Sequence, residues 1–507
     1  MRAHRSIPSA ALAGLLLLGG CFNPKLEPGF QCGEADPGPE CPKGFFCARN
    51  YTCQSLDGDG DLPATGDHYP LGQGYPGFVA ARLGDGVAVA GWVPDALGEQ
   101  AEFHVWLFDK YGEPLDGESE FTLARFRDVD RASLRAAGSD RVAVIAGHRK
   151  DTGDTSPHLV YAWLTSGTPP TVPPPDVSEF SGEENQAITV TANEGYACHL
   201  RTVAVGAGAV RHTVSSMCHS GTGQPSDTDW NVQIVGMPRA LSASISSVPG
   251  DLVALVEIKG DVDRGPNRLR TFCLDGGQSW EAGLFQPVGD SLRPHVFADW
   301  DHDDVWVTWQ DGTGLCGHRV NPATCGVALN TDPTCFLSDG NSTVQDYDLA
   351  GRSAANGFTG SEAELWSVES RNTTPLNQSD LIMREWQAQS ARSISVPHDV
   401  LTNPRAVTLG DNNLWYFVHA SDADDLEGWV KLYDPRPGAS GAPPTEVIAV
   451  GADDMQVTAD YAVAPRQGGG FFLVYRHWTD DRPESINHPL DVFLAPIGPD
   501  LGVLWPP

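Results

Sequence analysis

Carboxylates alternate at two places in this chain: Asp57, Asp59 and Asp61 in one, Asp299, Asp301 and Asp303 in the other. Three carboxylates at every second position can converge on one hard cation, so both triplets are candidate calcium sites. In the first, Leu62 stands where a calcium loop needs its turn glycine and His68 where it needs a bidentate glutamate. The plainer reading there is a solvated acidic linker, and for the second triplet a solvated turn. Eleven cysteines form the other reactive set. Cys32, Cys41, Cys47 and Cys53 crowd together with no C-x-x-C pair, which fits disulfides in an exported chain better than zinc. Their pairing stays open. Cys198 and Cys218 flank the Gly206-Ala207-Gly208 turn and can meet across a hairpin. Cys273, Cys316, Cys325 and Cys335 are expected to bridge as well, without a pairing the sequence can name.

Charge narrows the partners. The formal net charge is -33, from 33 basic and 66 acidic residues. That disfavours nucleic acid and anionic lipid surfaces and is explained simply by solubility. Enzyme signatures are missing: no H-E-x-x-H, no G-x-S-x-G elbow, no Walker loop. Gly72, Gly74 and Gly77 spell G-x-G-x-x-G, but Pro76 interrupts and no strand is expected before them, so no dinucleotide loop follows. Carboxylate pairs of a glycosidase converge in space and leave no such local signature.

The N-terminus reads as an export signal. Arg2, His4 and Arg5 precede the apolar run 10–18, which is too short to span a bilayer. It ends Leu18-Gly19-Gly20-Cys21, which resembles the lipobox of bacterial lipoproteins. The resemblance implies cleavage before Cys21, acyl chains on its thiol, and a membrane contact through lipid alone. Phe22, in place of an aspartate, implies sorting to the outer membrane. The cysteine cluster behind it resembles the small cysteine-rich modules that follow the lipobox in such proteins, and would act as a spacer. The chain thus divides into a signal at 1–20, a tether at 21–31, a disulfide module at 32–53, an acidic linker at 54–70 and a large remainder at 71–507.

What must position any site in that remainder is a repeat. Arg82 to Val93 reads RLGDGVAVAGWV, a β-prone run, a Gly-Asp turn and an alternating apolar run, which is a hairpin signal. Comparable turns follow at Gly138-Ser139-Asp140, Gly206-Ala207-Gly208, Pro249-Gly250-Asp251, Asp301 to Asp304, Gly360-Ser361-Glu362, Gly410 to Asn413 and Gln467 to Gly470. Their spacing averages about fifty-five residues, the scale of a four-stranded propeller blade. No long amphipathic helix is evident. The fold expected is all-β: a β-propeller of about eight four-stranded blades, with seven as the other admissible count, behind a small disulfide-rich stub. Radial repetition leaves few free sheet edges, which suits a monomer.

Residues 273–280, Cys-Leu-Asp-Gly-Gly-Gln-Ser-Trp, resemble the Asp-box of sialidases and related propellers, with Cys273 in place of serine. That resemblance implies a structural turn between the third and fourth strands of a blade, not an activity. In propellers ligands usually meet the face where the innermost strands begin. On this count Arg131, Arg293, His295, Tyr347, Arg405 and Tyr461 open such strands and are the candidate ligand-binding residues. Arginines with Tyr and Asp resemble a sialidase pocket, although only one Asp-box is present. Two functions from different classes follow. One is a lipid-anchored platform that binds a protein or glycan. The other is a carbohydrate-active hydrolase using the central funnel. A calcium-stabilised adhesion module is a third reading.

Overall fold

The chain is all-β. A computed structural model describes thirty-five strands between Phe45 and Ile497, with the adjoining residues 84–85, 109–115, 293–294, 333, 386, 466 and 470. Cys21, Cys32, Cys41, Cys325, Asp57, Asp59, Asp61, Asp301 and Asp303 lie outside the described residues. Two units separate at Ser55. The described part of the first is one hairpin, Phe45–Cys47 against Cys53–Ser55, in which Cys47 lies opposite Cys53.

The second unit is a succession of antiparallel meanders. Five sheets, at 78–126, 128–179, 188–235, 237–285 and 342–396, have four strands in chain order. The sheet at 295–337 has five, because Gly326–Val327 and Thr334–Leu337 share the edge of Gly314–Asn321. The last sheet has eight strands and contains two meanders, at 400–450 and from 457 onward, joined where Glu427 and Gly428 pair with Thr458 and Val457. Its final member is Tyr69–Gln73, which comes from the start of the unit and pairs with Asp491–Ile497. Tyr69 and Pro70 therefore belong to a strand rather than to the linker expected at 54–70.

Local chemistry explains the hairpins. Gly84 takes φ 64°, a left-handed value that glycine adopts without strain, and its carbonyl accepts a bond from Arg82 Nε at 3.0 Å. The Gly-Ser-Asp, Pro-Gly-Asp and Gly-Ser-Glu segments lie, in chain order, between first and second strands. Residues 206–208 lie between the second and third strands of their sheet, because Ile188–Ala192 supplies the first strand and pairs with Tyr196–Ala204. In that frame Cys198 and Cys218 are directly opposed.

Second strands are buried on both faces, as Val87 through Ala90 and Leu252 through Val256 show with no more than 1% exposure. These two strands are therefore covered from either side. First strands lie side by side in sequence: Phe78–Leu83 on Asp128–Ala137, then Ile188–Ala192, Met237–Ile245, His295–Asp299, Ser342–Arg352, Val400–Thr408 and Val457–Pro465. Val457–Pro465 in turn contacts Phe78–Leu83. The seam between the first and last meanders is apolar, with Val87, Val89, Trp106 and Phe108 packed on Ala464, Phe472, Val474 and Leu494. A turn from the first meander seals it. Asp109 Oδ1 accepts the N–H groups of Tyr111 and Glu113 at 2.8 and 2.9 Å, and Arg466 Nε donates to Lys110 O at 2.8 Å.

Candidate functional site

Two short segments recur in first strands: Arg293-Pro294-His295-Val296 leads into His295–Asp299, and Asn403-Pro404-Arg405-Ala406 lies within Val400–Thr408. Arg405, Tyr347 and Tyr461 do not open their strands as expected but sit inside them, at or beside breaks in register with the second strand. Arg293 and Asn403 have φ of 40° and 50° and are the described non-glycine residues with positive φ. A residue before proline is pushed toward extended backbone, so both conformations run against their local preference. Each holds about 1–3 kcal/mol of strain and needs its surroundings to fix it.

Those surroundings are the neighbouring first strands. The Tyr347 hydroxyl donates to the Arg293 carbonyl at 2.5 Å, and the Tyr461 hydroxyl donates to the Asn403 carbonyl at 2.5 Å. On the other side, Val296 N–H donates to Ser242 Oγ at 3.0 Å, and Ala406 N–H donates to Asp348 Oδ2 at 3.0 Å. Four successive pairs of first strands are thus pinned, alternately by a side-chain acceptor and by a tyrosine donor. Backbone bulges accompany them. Pairing with the second strand slips between Val129 and Arg131, Pro238 and Ala240, Val344 and Asp346, Thr402 and Arg405, and Val457 and Tyr461. A bulge turns the strand and re-aims the residue beside it.

The two tyrosines are buried, at 1% and 4% exposure. Burial raises both phenols well above the ordinary tyrosine value. For Tyr347 the hydrogen bond from Thr308 pulls slightly the other way, and for Tyr461 the Arg405 guanidinium does. A phenol that is neutral, buried and already donating to a carbonyl is not poised to attack a sugar carbon. The exposed side of these residues, called the mouth below, carries charge. Arg293 forms an ion pair with Asp346, and their side chains are 43% and 35% exposed. Asp346 also accepts the N–H of Tyr347 at 2.9 Å. The His295 ring sits 4.7 Å from that of Tyr347, tilted by 53°. Arg405 is half-buried and acts electrostatically on Tyr461, as do Asp348 and Asp346. Arg293, His295, Tyr347, Arg405 and Tyr461 are therefore brought into one cluster. Arg131 occupies a comparable bulge on Asp128–Ala137.

The other candidates fall elsewhere. Asp299 closes the strand that His295 opens and pairs with Asp304 across the hairpin, at the end away from the cluster. Among the described residues no group of three His, Cys, Asp or Glu side chains is arranged to hold a metal. Cys316 is bonded to Cys335, and Cys273 is disulfide-bonded too. The Asp-box-like segment straddles the third and fourth strands of its sheet, with Asp275 opposite Gln278.

A second charged group is fully enclosed. Glu369 accepts from Arg371 Nε and Nη2 at 2.9 and 2.8 Å and from Arg384 Nε. Arg371 Nη2 also donates to the Phe336 carbonyl at 3.3 Å, and the Arg384 guanidinium lies 4.6 Å from the Phe336 ring. Desolvation lowers the Arg384 pKa, and the Glu369 carboxylate opposes that shift. Sequence reading missed this cluster, and missed Ser242, Asp348 and Asn403. The signal available for the mouth was the doubled x-Pro-basic segment and the doubled Asp-Tyr at 346–347 and 460–461.

No family model matches the sequence, and no curated protein does. Solved structures of similar fold include the β-propeller domain of the Trilobed protease from Pyrococcus furiosus, at 9% identity and TM-score 0.40, covering 74% of this chain and 97% of that one. A post-proline cleaving enzyme from Rickettsia typhi aligns at 8% identity and TM-score 0.42, covering 82% and 58%. A Trypanosoma rangeli sialidase aligns at 11% identity and TM-score 0.35, covering 77% and 57%. Likenesses this distant carry no argument about activity.

Proposed function

We propose that this chain is an outer-membrane lipoprotein, held through acylated Cys21, whose monomeric β-propeller of eight blades is a binding or scaffolding platform for a protein or glycan. Support for the blade count comes from the cycle of first-strand contacts and from Tyr69–Gln73 completing the last meander. The observation that carries the platform reading is the state of the mouth. Its two tyrosines are consumed in pinning neighbouring strands, so the cluster is a rigid polar surface and not a nucleophile with a base beside it. The acylation and the location rest on the lipobox resemblance at Leu18-Gly19-Gly20-Cys21.

The test uses the full chain in a bacterial envelope. Wild type should incorporate an alkyne-palmitate label and sediment with outer membranes, and Cys21→Ser should lose both. Labelling that survives in Cys21→Ser overturns the anchor. Cross-linking followed by mass spectrometry should recover a protein or glycan at near-stoichiometric yield. Recovery of the bare chain, or glycoside turnover that Arg405→Ala abolishes, overturns the platform.

A further inference from the structure

The sheet at 295–337 fills its outer position in two pieces. Gly326–Val327 pairs with Val320 and Asn321, and Thr334–Leu337 pairs with the run from Gly314 to Gly317. The second piece spans four register positions, and at one of them Cys335 lies opposite Cys316 and is bonded to it. The two cysteines differ in access. Cys335 is exposed, whereas Cys316 is 1% exposed and packs among Val253, Leu255, Val305 and Val307. The next residue, Phe336, meets the sheet at 342–396. Its ring lies 5.0 Å from that of Trp386 and 4.6 Å from the Arg384 guanidinium, and its carbonyl accepts from Arg371 Nη2 at 3.3 Å. Thr334–Leu337 thus lies over Glu369 and its two arginines. Four pairings at a sheet edge hold such a strand weakly, and the cystine is what fastens it.

We propose that the Cys316–Cys335 bond is a latch opened by a dithiol: its reduction frees Thr334–Leu337 from the sheet edge and admits water to Glu369, Arg371 and Arg384. A thiolate of the dithiol attacks Cys335 Sγ, forms a mixed disulfide and expels Cys316 as a thiolate, which takes up a proton. The second thiol of the reductant then attacks its own sulfur in the mixed disulfide, closes an intramolecular disulfide and releases Cys335 as a protonated thiol. Two electrons and two protons pass from the dithiol to the cystine. A monothiol does not carry this through. Apolar surroundings disfavour the Cys316 thiolate, which is held beside the mixed disulfide and expels the monothiol again. In an exported chain the closed form is the resting one.

Full-length protein would be titrated with dithiothreitol and, separately, with glutathione, then alkylated and read peptide by peptide alongside amide hydrogen exchange. Cys335 should be labelled at a dithiol concentration about tenfold below the one that exposes Cys273, which is disulfide-bonded and buried. Exchange in Thr334–Leu337 and Glu364–Thr373 should rise about tenfold or more at that point, while Leu252–Lys259 stays protected. Glutathione at equal thiol should leave Cys335 unlabelled, and Cys335→Ser should show the faster exchange with no reductant present. If that variant does not fold, the wild-type titration decides alone. Labelling of Cys335 only together with Cys273 and a general loss of protection overturns the latch, and so does labelling that leaves exchange in Glu364–Thr373 unchanged. Equal labelling by glutathione overturns it as well, because the step then needs no second thiol.

Discussion

Replacing Tyr347 by phenylalanine isolates one strand-to-strand pin. The ring is kept, so the apolar burial of a side chain that is 1% exposed is unchanged. What is lost is one donor, to the Arg293 carbonyl at 2.5 Å, and a longer contact of 3.4 Å with Thr308 Oγ1. A hydrogen bond of this kind is worth about 1 kcal/mol net, rising to about 3 when the acceptor is left without a substitute. The acceptor here belongs to a residue at φ 40°, whose conformation depends on being held. The expected loss is therefore about 1–3 kcal/mol, read as a lowered urea midpoint at unchanged slope. Tyr461→Phe should cost a similar amount, since it donates to the Asn403 carbonyl in the same way. Because the two pins lie on different strand pairs, the double variant should be additive to within about 0.5 kcal/mol. If both single variants lose less than about 0.5 kcal/mol, the tyrosines do not hold the strained residues, and the reading of the mouth as a preset surface fails.

Other consequences can be measured alongside. Burial raises the phenols of Tyr347, Tyr461 and Tyr475 above the ordinary tyrosine value of about 10, so the folded state favours their neutral form. Their stabilising contribution should be complete below that pH and decline above it, and ultraviolet difference titration should show these phenols ionising only as the chain unfolds. Glu369→Gln leaves Arg371 and Arg384 enclosed without their carboxylate and should destabilise by about 3–5 kcal/mol in denaturant melts; a change under about 1 kcal/mol would show that the cluster is solvated. Gly351→Ala would place a Cβ 1.8 Å from Phe297 Cζ, between adjacent sheets, and should lower stability by about 1–3 kcal/mol through overpacking.

How much of this was legible in the sequence follows from where each constraint acts. Turn chemistry is local, so the turn at 84–85 and the breaks between paired first and second strands around 138–140 and 249–251 could be read from glycine, proline and acidic residues alone. The strand Tyr69–Gln73 could not. Its sequence, YPLGQ, carries a proline and a glycine, and its partner lies at the far end of the chain. Nothing nearby announces the pairing. The mouth was half legible. Residue type located Arg293, His295, Tyr347, Arg405 and Tyr461, but the geometry that joins them runs through the backbone of Arg293 and Asn403, which goes against what a residue before proline prefers. The enclosed charge cluster was illegible for a different reason. In Glu364–Thr373 the alternation ELWSVESRNT assigns Ser367, Glu369 and Arg371 to a solvent face. That inference assumes a sheet with one wet side. Here this strand is covered on both faces: Val368 packs toward Leu401 and Val418, while Leu365 packs toward Trp306 and Trp386. The polar stripe therefore faces a neighbouring sheet, and its charges must be neutralised among themselves. Alternation in a strand covered on both faces reports which neighbour a residue meets, not whether it meets water, and Glu369 with its two arginines is what that produces.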